Sequence, residues 1–387
     1  MKKELLFFFL IFTITLFAQS SEQHITIIDV ETNLPIPDAT VFIIKTKQTL
    51  VSNAEGEVTF SLGSVSNIQI SHPSYLNSMI RSSTLKSDYN FVYLNKKISA
   101  LDEIIVTKKH PQKILKGLVQ NSIKELSRKV RLKVYTREFF KLNGVYTSYN
   151  DGLLNFQIFE DNKNFVANMF VEQNRSFGLV QEELSSDVLG YNLNDIMENY
   201  YNFKYLNPIL EPNAKEDYEF VIKGYPPNDR YNLMIVSPNE NLKGLKDEYT
   251  ILYDSKEKLI IETNSSLSPI SLSNSKEKTA IGAKNIYKSF FKTIYRNDGS
   301  KYFLLSSREE IGFERVDKGK KTEIEVRNYF VTSDCTHQII DVKPNNIFKD
   351  KTLYNKKNLI LTNYWKTSGL QATDEEKKII SNIQFRE

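Results

Sequence analysis

The chain has 387 residues, 25% of them charged and 40% hydrophobic, with a formal net charge of +4 from 51 basic and 47 acidic side chains. At ~150 residues per domain this length predicts two to three domains, and the balanced composition excludes a disordered, collagen-like or multi-span helical membrane chain. So small a basic excess does not predict nucleic-acid binding, which shows as a concentrated basic face.

The N-terminus has the pattern of a secretory signal over residues 1–20. Lys2 and Lys3 form a basic start, Leu5 to Phe17 is an apolar run broken only by Thr13 and Thr15, and Ala18-Gln19-Ser20 fits small-x-small cleavage after Ala18 or Ser20. The run is shorter than the ~20 apolar residues of a membrane-spanning helix. No Cys lies near the cleavage site, so no lipoprotein anchor is expected. The one cysteine, Cys335, excludes an internal disulfide framework. Hydrophobic cores must therefore hold the fold. Phe (24) and Tyr (21) are abundant and favour strands.

Residues 23–97 carry period-two runs at 24–30, 39–45, 48–52, 57–62, 67–71, 75–81 and 89–94. Turn chemistry at Pro35, Pro37, Asn53–Gly56 and Pro73-Ser74 separates them. Short strands at this density predict a Greek-key β-sandwich, with Val58, Phe60 and Leu62 on one buried face. Asp29, Thr32, Pro35, Ile36, Ala39 and Val41, then Asn53–Val58, then His72-Pro73-Ser74-Tyr75 follow one another in a set order. In that order and spacing the segment resembles the carboxypeptidase-regulatory-like domain. It departs from the family at Ile25 or Thr26, Glu55 and Ser74, where glycine or aspartate is usual. The resemblance implies a transthyretin-like sandwich without catalytic residues.

Residues 98–110 form a junction. Leu101 and Asp102, Glu103, Ile104, Ile105, Val106 and Thr107 look like the segment that closes this module in Gram-negative envelope proteins. They also resemble the box with which outer-membrane receptors pair with TonB. Asp102 to Thr107 are thus a candidate partner-pairing strand, or else a connecting strand. A full receptor barrel needs more chain than remains. An amphipathic helix is expected near 111–130, with Pro111 at its start. Leu115, Leu118, Val119, Ser122, Ile123, Leu126 and Val130 form its stripe, and lysines and arginines fill the other side. Packing of the stripe on the following sheet is expected; binding to an anionic membrane surface is the other reading.

Residues 111–387 are read as one β-rich domain. Strands are expected at 132–142, 145–149, 153–160 and 164–172. Hairpins are expected at 218–223/231–236, 249–253/259–263 and 286–296/301–306, the last turning at Asn297-Asp298-Gly299, and 322–332 follows. Helices are expected near 194–204, with an Asn cap, and near 374–384, with Thr373 and Glu376 in a capping box. Residues 265–283 and 333–358 read as loops. A small outer-membrane barrel is opposed by the helix at the end of the chain and by Lys288, Lys292 and Arg296 along one strand face. A curved sheet covered by helices is preferred.

No zinc-peptidase, nucleophile-elbow, phosphate-loop or dinucleotide motif occurs. Adjacent acidic pairs such as Glu309-Glu310 face opposite ways on a strand and cannot act jointly. Asp334, Cys335 and His337 are the residues from which a hydrolase or metal site would be built. Tyr200, Tyr201, Phe203, Tyr205 and Trp365 are candidates for a ligand groove, with core packing as the other reading. The sequence thus predicts a mainly β, exported, non-enzymatic protein of the periplasm, outer membrane or cell surface: an N-terminal Greek-key β-sandwich followed by a large antiparallel β-sheet domain. It would bind an envelope protein or a hydrophobic or glycan ligand. No cofactor, metal site or catalytic residue is assigned. The alternatives are a peptide or peptidoglycan hydrolase and a small outer-membrane barrel related to TonB-linked systems.

Overall fold

A computed structural model describes residues 21–97, 103–161, 164–178, 192–226, 228–240, 244–274, 280–281, 284–317, 320–338, 346–354, 356–367 and 369–385. The expected signal at 1–20 and Asp102 lie outside the described residues. Two compact units are present: residues 1–96 with 366–373, and residues 97–365 with 374–387.

The first unit holds seven strands: β1 (Ser21–Asp29), β2 (Thr40–Ile43), β3 (Gln48–Val51), β4 (Glu57–Leu62), β5 (Asn67–Ser71), β6 (Ser78–Arg81) and β7 (Tyr89–Leu94). They form two sheets, β4-β1-β7 and β3-β2-β5-β6. β1 pairs parallel with β7 and antiparallel with β4. Alternation sends Ile25 and Ile27, Val58, Phe60 and Leu62, and Val41 and Ile43 into one core with Ile68 and Ile70. Between β3 and β4, Gly56 has φ +71°, and a Cβ there would meet Ile27 O at 2.6 Å. Only glycine fits that turn without a backbone shift. From the distant C-terminal segment of the same unit, Gly369 O accepts from Val51 N–H at 3.0 Å.

Asp29 and Tyr75, far apart in sequence, meet here. The Asp29 carboxylate accepts from Glu31 N–H (2.8 Å), Thr32 N–H (3.1 Å) and Tyr75 Oη (2.8 Å), and Lys96 Nζ lies 3.1 Å away. Burial pushes this carboxyl up, but the hydrogen bonds from Tyr75, Thr32 and Glu31 and the contact with Lys96 outweigh it and hold it well below the ordinary range. Its folded value is depressed, so the stabilisation is present above the ordinary carboxylate value and is lost as pH falls below it. Asp29→Ala is expected to destabilise this unit by about 2–3 kcal/mol, read by calorimetry at neutral pH. The deficit should shrink in acid.

The second unit is one open antiparallel sheet. Its strands are β8 (Val130–Leu142), β9 (Val145–Asp161), β10 (Asn164–Gly178), β11 (Tyr218–Gly224), β12 (Tyr231–Pro238), β13 (Asp247–Asp254), β14 (Ile260–Leu267), β15 (Ala280–Ile281), β16 (Lys284–Asn297), β17 (Tyr302–Asp317) and β18 (Lys320–Thr336). The spatial order is β10-β9-β8-β18-β17-β16-β14-β13-β12-β11, with β15 beside β16. Among the described residues no pairing joins β10 to β11, so the sheet is open rather than a closed barrel. The inner face of β8, β9, β13 and their neighbours is covered by α1 (Pro111–Glu125) through Leu115, Leu118 and Val119. It is covered also by α2 (Ile196–Tyr201) with Phe203, Leu206 and Ile209.

Several boundaries differ from expectation. The helix expected over 111–130 stops at Glu125 because Ser127 N–H donates to Tyr302 O and Lys129 turns with φ +60°, which hands Val130 to β8. The strands expected at 145–149 and 153–160 are one strand. Asp151 is held by buried side chains, and Gly152 leaves room for Leu353, whose Cδ1 would lie 2.6 Å from a Cβ there. The helix expected at 194–204 is shortened to α2, because Phe203 adopts φ +50°. Asn194 does not cap it; its amide donates to Lys349 O and Asp350 O. The expected loop at 265–283 contains the end of β14 and a short helix at Pro269–Asn274, and β18 runs on to Thr336. The C-terminal helix α3 (Asp374–Gln384) has the expected bounds, but Glu376 sends its carboxylate to Arg137 Nη1 at 2.7 Å.

Candidate functional site

The inner face of the large sheet is apolar at one end and polar at the other. On β8 the inward positions run Val130, Leu132 and Val134, then Thr136 and Glu138. Pairing places Glu138 opposite Asn150 of β9 and Asn328 of β18, and Asn328 opposite Glu309 of β17. The same row continues through Phe291 of β16 to Ser265 of β14 and Tyr249 of β13, two residues from Asp247. A polar band therefore crosses the sheet, built by register from residues remote in sequence.

At one end of this band lies a pocket of about 360 Å³. Glu309, Asp247, Ser265, Ser289 and Phe291 form its floor, while Asn192, Asn199, Tyr200, Lys204 and Tyr205 form its wall. The Tyr205 ring lies 4.6 Å from that of Phe291, and Tyr200 lies 5.7 Å from Phe291 and 6.3 Å from Tyr205. Tyr205 Oη is fixed by Tyr295 Oη (3.0 Å) and Thr293 Oγ1 (3.1 Å), so its ring is locked in place. Lys204 pairs with Glu198 at 2.5 Å.

Burial pushes the Glu309 carboxyl up to about 7, with a hydrogen bond to Asn328 pulling only partly the other way. Burial also pushes Glu138 up to about 7; Tyr354 and Asn150 lower it and the nearby Glu309 raises it further. Asp247 is raised by burial against its hydrogen bond from Ser289. Asn328 Oδ1, at the centre of the band, is buried without a hydrogen-bond partner among the described residues. The Glu309 carboxyl, whose protonation changes near neutrality, the Asp247 carboxyl, amides, hydroxyls and the rings of Tyr200, Tyr205 and Phe291 give this pocket both hydrogen-bonding and stacking capacity.

The expected groove residues are divided. Tyr200 and Tyr205 meet at this pocket. Tyr201 and Phe203 are buried in the core beside it, 5.5 Å from Phe165 and 4.9 Å from Tyr295 respectively. Trp365 lies on the opposite face of the sheet, 4.0 Å above the Arg175 guanidinium. There Arg175 Nε and Nη2 bind the Asp151 carboxylate at 2.9 and 2.8 Å, joined by Tyr135 Oη (3.0 Å) and Tyr364 Oη (2.7 Å). Glu103, Ile104 and Ile105 lie along edge strand β11: Ile105 N–H donates to Ile222 O (2.8 Å) and Gly224 N–H to Glu103 O (3.0 Å). Glu103 to Ile105 of the expected pairing segment are thus paired within their own chain, while Val106 is 93% exposed. Cys335 and His337 do not assemble a site: Cys335 is buried in the core, burial pushes its thiol up to about 12, and His337 is exposed beyond the strand end. Among the described residues no group of three or more His, Cys, Asp or Glu is placed to hold a metal.

Sequence reasoning separated Glu309 from Glu310 correctly, since Glu310 faces outward to Lys288 at 2.6 Å. It missed Glu138 and Asp247. The signal was there: a polar side chain at an inward position of an otherwise apolar alternation.

No protein-family model matches the chain, and no curated protein matches it. Among solved structures, the chain is similar to a LolA superfamily protein of Nitrosomonas europaea at 8% identity and a TM-score of 0.23, covering 60% of this chain and 97% of that one. A DUF1329 family protein of Desulfovibrio piger gives 9% identity and a TM-score of 0.26, with 60% and 96% covered. MucB in complex with MucA gives 8% identity and a TM-score of 0.21, with 57% and 94% covered. At these scores the likeness carries nothing about function.

Proposed function

We propose that the chain is an exported, non-enzymatic envelope protein whose second unit holds a hydroxyl-rich ligand of glycan type in the inner-face pocket. The observation that carries this reading is the pairing of fixed aromatic rings at Tyr200, Tyr205 and Phe291 with Glu309, Asp247 and the amides of Asn192 and Asn199. Sugars present an apolar C–H face for rings and hydroxyls for carboxyls and amides. A purely hydrophobic ligand is less well served. Tyr201, Phe203, Leu206 and Ile209 of the protein itself fill the apolar part of the inner face. The export expectation rests on Lys2, Lys3, the apolar run and Ala18-Gln19-Ser20. The first unit, as a regulatory-like accessory module, would serve placement rather than chemistry.

Calorimetric titration of the exported chain with oligosaccharide fragments of peptidoglycan and of outer-membrane polysaccharide tests the reading. Saccharide binding that weakens at least tenfold in Tyr205→Ala and in Glu309→Ala is expected, since each removes a principal contact. Binding of fatty acids but no saccharide would overturn it, and turnover of a bound saccharide would replace the holder with a hydrolase.

A further inference from the structure

The outer face of the same sheet carries a second cleft, independent of the inner-face pocket. Outward residues of β8 change character along the strand. Tyr135 and Arg137 are buried, whereas Lys133 and Arg131 line an open cleft of about 760 Å³. Register sets Lys133 opposite Asn155 of β9, which is itself opposite Phe170 of β10. A bulge between Val171 and Gln173 inserts Glu172 into the rim. Phe348, anchored by its N–H to Met169 O at 2.8 Å, and Lys356 close the other side.

Three cations here face one carboxylate. Lys133 Nζ lies 3.2 Å from Glu172 Oε1, and Asn155 Nδ2 donates to Glu172 Oε2 at 3.1 Å. Lys356 Nζ sits 5.6 Å from the Phe348 ring centroid, with no carboxylate partner among the described residues. The Arg131 side chain makes no hydrogen bond or ion pair with any described residue. Glu172 thus answers one of the three charges and leaves two for a ligand. A planar guanidinium beside two ammonium groups matches the several oxygens of a phosphate, and Phe170 and Phe348 offer an apolar wall for an attached organic group.

We propose that this cleft binds a phosphate-bearing anion, with its oxygens between Arg131, Lys133 and Lys356 and its organic part against Phe170 and Phe348. The phosphate belongs either to a soluble ester or to a lipid headgroup, and the test separates these sources. The full exported chain is titrated with inorganic phosphate and glycerol phosphate, and floated with phosphatidylcholine vesicles with and without phosphatidylglycerol. Binding of the soluble phosphates assigns the soluble source; flotation confined to the phosphatidylglycerol vesicles assigns the headgroup. In either case the double variant Arg131→Ala/Lys356→Ala, at two half-buried side chains lining the cleft, is expected to bind at least tenfold more weakly while keeping the thermal transition of the wild type. Glu172→Gln keeps an oxygen for Asn155 and Lys133 but removes the competing charge, so it is expected to tighten binding several-fold. No binding of any phosphate probe at millimolar concentration, or binding unchanged in the double variant, overturns the proposal. Weaker binding in Glu172→Gln overturns it too, because the ligand would then be one that needs the carboxylate. None of these outcomes bears on saccharide binding in the inner-face pocket.

Discussion

Glu376→Ala is expected to destabilise the second unit by about 3–5 kcal/mol, the cost of leaving a buried cation without its partner. Arg137 is 2% exposed and Glu376 is 2% exposed, and the ion pair between them, 2.7 Å long, ties α3 to β8. Arg137 Nε also donates to Tyr135 Oη at 3.1 Å, which continues into the Asp151–Arg175 cluster beneath Trp365. Removing the carboxylate therefore takes the paired anion from a buried guanidinium, for which Tyr135 Oη is only a neutral acceptor. The double change Arg137→Met/Glu376→Leu replaces both charges with apolar volume. It should recover most of the loss, because the desolvation of two ions disappears with their attraction. Chemical denaturation of the wild type, the single variant and the double variant measures both quantities. A single variant as stable as the wild type would mean that α3 is not held by this pair.

Stability should also fall as pH rises through neutrality, opposite to the behaviour of an ordinary carboxylate. Glu138 and Glu309 both have folded values near 7 against an ordinary 4.5. Between those values the folded chain holds more protons than the unfolded chain, so unfolding free energy decreases with pH across that window. The stabilisation is complete below about pH 4.5 and is lost by about pH 7. Glu138, 4% exposed, carries the larger share, up to ~3 kcal/mol. Glu309 lines an open pocket and contributes less. The groups that act on the Glu138 carboxyl are Asn150 at 3.2 Å, Tyr354 and Glu309, with Asn328 opposite it in register; Arg137, the next residue, turns to the other face and pairs with Glu376. Glu138→Gln should therefore raise stability at pH 8 and flatten the slope. Denaturant midpoints between pH 5 and pH 8 test this, and a wild-type curve that rises over that range would contradict it.

Much of the fold was legible because strands advertise themselves locally. Val58, Phe60 and Leu62 alternate into the core as expected, and Asn297-Asp298-Gly299 turns β16 into β17. What was not legible depends on register between distant strands. Glu138 and Glu309 are brought near each other only because β18 lies between β8 and β17. No local pattern specifies that order. The aromatic run at Tyr200–Tyr205 was visible as a cluster, yet its division between pocket wall and core follows from the left-handed turn at Phe203. Trp365 could not be placed from sequence, since its partner Arg175 lies on an edge strand far earlier in the chain.

The measurement that tests the central claim most directly is a native mass spectrum of the chain exported to a periplasm and purified without detergent, beside its Tyr205→Ala variant. A soluble wild-type chain carrying a retained saccharide-sized mass that the variant lacks is the predicted result. A bare mass for both proteins, or a retained lipid-sized mass indifferent to Tyr205, would contradict the assignment of the inner-face pocket as a glycan-holding site.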